Sequence, residues 1–361
     1  MKVDGARIHL KKYICVLMIF AMCLGLSACS ESEDEISGTD VVLKFAGKEI
    51  TIGEVYLYAY TVKDDYEYMY GSDIWGEDIS VTRDNSANME DVTRKDIIED
   101  IVHVKLLVMK APEYKIALTE EEEAAANAQT DDFFEKLTDE QIEQMQLSYD
   151  LVKKVVNENA LAKKVYDQII EEAGIEVSDE EARETTFYDL YFECYAVASS
   201  GDVTKFSEDE MQAQYDRALQ AYNTLINPID SGINDGTSST NSNSTNIEGL
   251  AEYYGLVNSS YYTLTPEEIS DIYGESIKDS LYNLEDGSYS LVTESEYGYH
   301  IFYMKALTDR NATDEHKQDI IRFKRNDYMD ELYKKWIDEV DSSYSYENSV
   351  DFAMYKKIEF K

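Results

Sequence analysis

Side chains able to do chemistry are sparse in this chain of 361 residues, which carries four histidines and four cysteines. Cys15, Cys23 and Cys29 fall within the first thirty residues. Cys194 is therefore alone downstream, and the body can form no intrachain disulfide. No base is visible beside Cys194, so it reads as a small buried apolar side chain rather than a nucleophile. His103, His300 and His316 lack the ligand spacing of a metal centre, and neither a metal nor a cofactor is expected. His300, in Tyr299-His300-Ile301, offers two ring nitrogens that can fasten a hairpin to its sheet.

The elements that must position these groups follow from pattern. Val41 to Phe45, a Gly47 turn and a return to Ile50 read as two short strands leading into a helix near 53–60. Residues 63–88 are polar and aromatic and read as a loop-rich insertion; Tyr66, Tyr68, Tyr70 and Trp75 there pack against helices or hold an unfolded peptide, with packing preferred. From Thr93 to Glu184 the pattern is helical. Its start signals are Thr93 with Asp96, Thr119 with Glu122, Thr138 with Gln141 and Ser178 with Glu181. Gly174 suits a helix C-cap, and the acids at 120–123 a solvated helix start. Phe187 to Ala198 reads as a strand, Ser207 to Ile226 as a helix, and 227–246 as a flexible Ser, Thr, Asn and Gly tract. A short helix follows at 247–254, then a second opened by Thr265 and Pro266 with Ile269, Ile272, Ile277 and Leu281 on its inner side. Strands at 288–292 and 299–307 form a closing hairpin. The last helix, 313–340, carries an apolar stripe of Ile320, Phe323, Leu332, Trp336 and Val340 that needs a partner, for which the N-terminal helices are the candidate.

Lys2, Arg7, Lys11 and Lys12, an apolar run from Tyr13 to Leu26 and small residues up to Cys29 have the order of an export signal. The run is too short for a permanent membrane span. Leu26-Ser27-Ala28-Cys29 resembles the lipobox of bacterial lipoproteins, which implies a lipid on Cys29 after removal of residues 1–28 and an acidic tether over 29–40. Four of the 33 basic residues and one of the 74 acidic ones leave with that segment, so the formal charge moves from -41 to -44. Such a balance excludes binding to a phosphate backbone as a main activity, so no nucleic-acid partner is expected. It also repels anionic lipid, leaving acyl chains as the membrane attachment; the export signal and the lipobox resemblance imply a place on the outer face of the cytoplasmic membrane.

Leu284-Glu285-Asp286-Gly287-Ser288-Tyr289-Ser290 and Gly298-Tyr299-His300-Ile301 resemble the closing hairpin of parvulin-type peptidyl-prolyl isomerases. The strand-Gly-strand opening, the capped helices and the lead-in Val177-Ser178-Asp179-Glu180-Glu181 resemble the chaperone region of SurA- and PrsA-type foldases. This likeness implies an α+β chain: a helical chaperone domain at 41–184, completed by 309–361, with a parvulin-like antiparallel-sheet domain inserted at 185–308. It implies assistance to unfolded or partly folded exported polypeptides, with or without proline isomerisation. Two non-catalytic readings stand beside it, a binding-only chaperone and a scaffold lipoprotein reusing the fold. His300 matches the second parvulin histidine and is the catalytic candidate against its hairpin-fastening role. The first histidine is replaced in Tyr188-Asp189-Leu190-Tyr191, which makes Asp189 a weaker candidate. Where the family carries Cys or Asp, residues 251–258 offer only Asn258. The sequence sets no oligomeric state.

Overall fold

The computed structural model describes residues 37–82, 85–227 and 246–360. The signal segment, Cys29, most of the acidic tether and residues 228–245 of the polar tract lie outside the described residues. The chain divides into two compact units, one built from the segments up to Ile175 and from Lys324 onward, the other from Glu176 to Phe323.

In the first unit, β1 (Val41–Phe45) and β2 (Lys48–Thr51) pair antiparallel across a turn at Ala46 and Gly47. Gly47 has φ +74°, a left-handed conformation that costs glycine nothing. The Thr51 side chain accepts from the Glu54 amide and starts α1 (Ile52–Tyr70). This helix runs ten residues past the expected stop and occupies the start of the region read as a loop. A 3-10 turn (Ser72–Gly76) and a hairpin of β3 (Asp78–Thr82) and β4 (Asn85–Asn88) fill the rest. The expected loop-rich insertion is thus ordered secondary structure. Its aromatics divide: Trp75 is fully buried and Tyr66 partly, while Tyr68 and Tyr70 are exposed.

Asn88, not Thr93, caps α2 (Met89–Lys110), and Thr93 is buried inside the helix. The expected boundary was late because an Asn cap lacks the hydroxyl-to-acid spacing by which starts were read. Thr119 and Thr138 each form the reciprocal capping box expected of them, opening α3 (Glu120–Lys136) and α4 (Asp139–Gln144). The fifth helix, α5 (Tyr149–Ala173), ends at Gly174 in the left-handed conformation. Ile97, Ile101, Val104 and Leu107 of α2 and Val152, Val155, Ala162 and Val165 of α5 share one core. Each Ile, Leu or Val among them contributes about 1.5–3 kcal/mol on burial.

In the second unit Ser178 accepts from the Glu181 amide, but the segment forms a single turn rather than a helix. The expected strand from Phe187 divides at Cys194 into β5 (Thr185–Glu193) and β6 (Tyr195–Val197), the latter paired with β7 (Val203–Lys205). Next come α6 (Glu208–Ile226), opened by the Ser207 capping box, and α7 (Ile247–Tyr254). A strand absent from the sequence expectation follows, β8 (Ser260–Leu264). Thr265 and Pro266 open a helix as expected, but Gly274 at φ +85° breaks it into α8 (Pro266–Tyr273) and α9 (Glu275–Tyr282). The break turns Ile272 outward, where it is 61% exposed, so it is not on the inner side. The closing hairpin has a two-residue β9 (Thr293–Glu294) and a long β10 (Gly298–Ala306); the expected strand at 288–292 is reduced to a bridge between Tyr289 and Tyr303.

These strands form one antiparallel sheet in the order β8-β5-β10-β9. Alternation gives it two apolar faces. Tyr188, Leu190, Phe192 and Ile301 pack under α6 and α7. Phe187, Phe302 and Met304 pack under α8 and α9 through Ile269, Ile277 and Leu281.

The chain returns to the first unit along α10 (Arg310–Asp341), where Met329, Tyr333 and Trp336 join the helical core. The C-terminal stretch of the apolar stripe therefore finds the partner expected for it, whereas Phe323 is 43% exposed. Two single-turn helices, α11 (Tyr346–Ser349) and α12 (Phe352–Tyr355), end the chain against β1 and α2. The Asp351 amide donates to the Val42 carbonyl, and Arg94 donates to the carbonyls of Tyr355 and Ile358.

Candidate functional site

On paired strands, directly opposed residues share a face and diagonal neighbours lie within reach of long side chains. The β5–β10 register sets Tyr191 opposite His300 and Asp189 opposite Phe302. Asp189 and His300 are therefore diagonal neighbours on the α8–α9 face. His300 Nδ1 lies 2.9 Å and 3.0 Å from the two Asp189 carboxylate oxygens. His300 Nε2 lies 2.8 Å from Ser295 Oγ, supplied by the turn between β9 and β10.

Chemistry orients this chain of contacts. A carboxylate only accepts, so Nδ1 carries a proton and donates to Asp189; in the neutral ring Nε2 then accepts from the Ser295 hydroxyl. The Tyr297 amide donates to Ser295 Oγ at 3.3 Å, and the Tyr273 hydroxyl donates to Asp189 Oδ2 at 3.2 Å. Burial, and next the Asp189 charge, push the Tyr273 phenol far above its ordinary value, so it stays a donor. Burial likewise raises the Tyr191 phenol, whose hydroxyl donates to the Tyr297 carbonyl at 3.0 Å.

Aromatic rings enclose the imidazole. Tyr191 lies parallel to it at 4.5 Å between centroids, Phe302 parallel at 5.4 Å, and Tyr273 edge-on at 5.7 Å. His300 is 4% exposed and Asp189 3%. A buried polar group left unpaired costs about 1–3 kcal/mol, and here both ring nitrogens and both carboxylate oxygens have partners. The arrangement can orient hydrogen bonds, but every group it would offer to a substrate amide is engaged within the protein.

The structure thus brings together two of the residues singled out from sequence, His300 and Asp189. Asn258 stays apart from them at the end of β5, where its amide donates to the Glu193 carboxylate. Ser295 and Tyr273 were not foreseen. The five-residue step from Ser295 to His300 is legible only once the turn between them is known, and Tyr273 is brought in by the helix break at Gly274. Cys194 is buried and free, its thiol raised first by burial and then by the Glu294 charge. Among the described residues, no group of three or more His, Cys, Asp or Glu is placed to hold a metal ion.

The architecture is the α+β one expected from the sequence: a helical body whose chain is interrupted by a four-stranded antiparallel sheet with helices on both faces and a histidine on its last long strand. The chain is PrsA-like. It is 25% identical to the Foldase protein PrsA of Clostridium perfringens (strain 13 / Type A) over 348 residues, covering 92% of this chain and 93% of that protein. It is 24% identical to the Foldase protein PrsA of Caldanaerobacter subterraneus subsp. tengcongensis over 333 residues, covering 91% and 94%. Among solved structures, a peptidylprolyl isomerase (PrsA) from Bacillus cereus aligns at 14% identity and a TM-score of 0.25 over 79% of this chain and 99% of that one. No family model matches.

Proposed function

We propose that this chain is a lipid-anchored, extracytoplasmic foldase that shelters exported polypeptides as they fold, and that its parvulin-like module, 185–308, is closed around His300 instead of open to proline. The likeness to foldases over nine-tenths of the chain supports the first part. One observation carries the second: His300 and Asp189 are 4% and 3% exposed, with their hydrogen-bonding capacity spent on Ser295, Tyr273 and each other. Rotation about an X-Pro bond faces a barrier of about 18–20 kcal/mol. Lowering it requires an apolar cleft for the ring and free, oriented groups for the twisted amide.

Two assays on the same preparation test this. The chain should suppress aggregation of an unfolded client yet leave proline-limited refolding at the rate of the blank, and His300→Ala should alter neither. Accelerated refolding that disappears in His300→Ala would establish the isomerase reading instead. Anchoring is tested separately. Radiolabelled palmitate should mark the chain in cells and fail to mark Cys29→Ser, which should appear in the medium; label retained by that variant would end the assignment.

A further inference from the structure

We infer that the last turn of α1, with the turn that follows it, is a docking surface for extended polypeptide segments in which basic residues alternate with bulky apolar ones; the partner's being an unfolded exported chain rests on the foldase reading above. Tyr68, Met69 and Tyr70 are 89%, 58% and 52% exposed. Successive helical residues are separated by about 100°, so these three side chains spread around most of the helix tip. Three exposed apolar side chains of this size gathered at one helix end mark an interaction site more often than isolated ones do.

The platform beneath them is packed. Trp75 is fully buried, and its indole N–H donates to Glu67 at 2.8 Å. Tyr66 meets Trp75 edge-on at 5.9 Å and Tyr70 at 6.1 Å, so the 3-10 turn is folded back against the helix. A surface already ordered loses little entropy when it binds. Tyr presents large, stiff contact area, and Met adapts to irregular shapes, a combination suited to partners of varied sequence.

Charge selects among possible occupants. Asp64, Asp65, Asp73, Glu77 and Asp78 are exposed around the tip. Lys63 is the only basic residue between Ile52 and Thr82, and it lies 3.8 Å from Glu67. Carboxylates around tyrosines repel anionic lipid headgroups and acidic proteins. They attract Lys and Arg, whose cations also sit favourably over tyrosine rings. Size argues further. Three side chains cannot supply the roughly 1,000 Å² that a stable contact between folded surfaces needs, whereas a short extended segment needs far less.

The test uses the full chain and a fluorescein-labelled synthetic peptide alternating Arg with Phe and Leu, followed by anisotropy. Replacing Tyr68, Met69 and Tyr70 together by Ser should weaken binding at least about tenfold, because these are the apolar anchors. Asp73→Asn with Glu77→Gln and Asp78→Asn should weaken it several-fold and flatten its dependence on salt. The same peptide with Glu in place of Arg should bind far more weakly. Undiminished affinity in the triple Ser variant, or equal binding of the Glu peptide, overturns the proposal. So does a dimer in sedimentation, or binding to zwitterionic vesicles, that the Ser substitutions abolish, since the tip would then be covered by a second copy or a bilayer. If the triple variant binds the peptide and suppresses aggregation as well as the unmodified chain, the docking site is wrong and the foldase reading stands. If the unmodified chain suppresses no aggregation yet binds the Arg peptide through the tip, the foldase reading is wrong and the docking site stands.

Discussion

Tyr273→Ala tests whether the second unit is closed around its own histidine. Full truncation of a large buried aromatic costs about 3–5 kcal/mol, and Tyr273 is only partly buried, so the lost packing amounts to roughly 2 kcal/mol. Its hydroxyl also donates to the Asp189 carboxylate at 3.2 Å. A hydrogen bond to a charged group contributes about 1.5–3 kcal/mol, and water entering the vacated space will replace part of it. The sum is a loss of roughly 3 kcal/mol, while Tyr273→Phe, which keeps the ring, should lose about half as much. Tryptophan fluorescence will not see this change, because Trp75 and Trp336 both lie in the first unit. Hydrogen exchange of amides in β5 and β10 will. Removing the ring should also open apolar space beside the imidazole, so an Ala-Pro peptide should shift the His300 ring resonances in Tyr273→Ala and leave them unmoved in the unmodified chain. A loss below about 1 kcal/mol, or a proline peptide that already reaches His300 in the unmodified chain, would refute the closed-site reasoning.

Three further outcomes are expected. Lys105, 5% exposed, bridges Glu54 and Glu158; burial lowers its affinity for protons, but the two carboxylates outweigh this and raise it overall. Lys105→Met leaves the buried Glu54 carboxylate only the more distant, half-exposed Lys154 at 3.5 Å and should cost about 2–3 kcal/mol by urea titration of tryptophan fluorescence, less than the loss of a sole partner, with Glu54→Gln added to it recovering a large part. Gly298→Ala would set a Cβ 2.2 Å from the Phe192 carbonyl oxygen, so the β5–β10 ladder should lose its exchange protection while the helical unit keeps its own. Hydrogen bonds from Lys317 and Arg310 hold the Asp179 carboxyl down at about 2, below its ordinary 3.8. The folded form is the stronger acid, so the stabilisation is complete above 3.8 and is lost as pH falls through about 2. Carboxyl NMR should give that midpoint, and Lys317→Ala should raise it.

The helix starts marked by a hydroxyl residue three ahead of an acid or amide were readable because both halves of the motif are local; Thr119, Thr138, Ser207 and Thr265 all form the capping box. Such a signal still does not say how many residues follow, and Ser178 has the same spacing over a single turn. Aromatic and β-favouring composition located β5, but β8 was missed, because Tyr261, Tyr262 and Leu264 become a strand only by pairing with β5. Half of the buried site was legible through the resemblance. His300 and Asp189 stand at positions picked out by the resemblance to parvulins, and the β5–β10 register makes them neighbours, whereas Ser295 and Tyr273 arrive through a turn and a helix break, and nothing local distinguishes them from other serines and tyrosines.

The tail's hold on Arg94 bears on the order of assembly. The Tyr355 hydroxyl donates to the Arg94 carbonyl, and Arg94 donates back to the Tyr355 carbonyl, across 261 residues of chain. In a polypeptide that emerges amino end first, β1 must wait without the partners that Val350 and Asp351 give Leu43 and Val42, because contacts so distant in sequence close late. The sheet, whose strands pair only with one another, is free to form in the meantime. During its own synthesis the helical body is thus an incomplete chain with bare apolar surface, and it faces the hazard from which it is proposed to protect others.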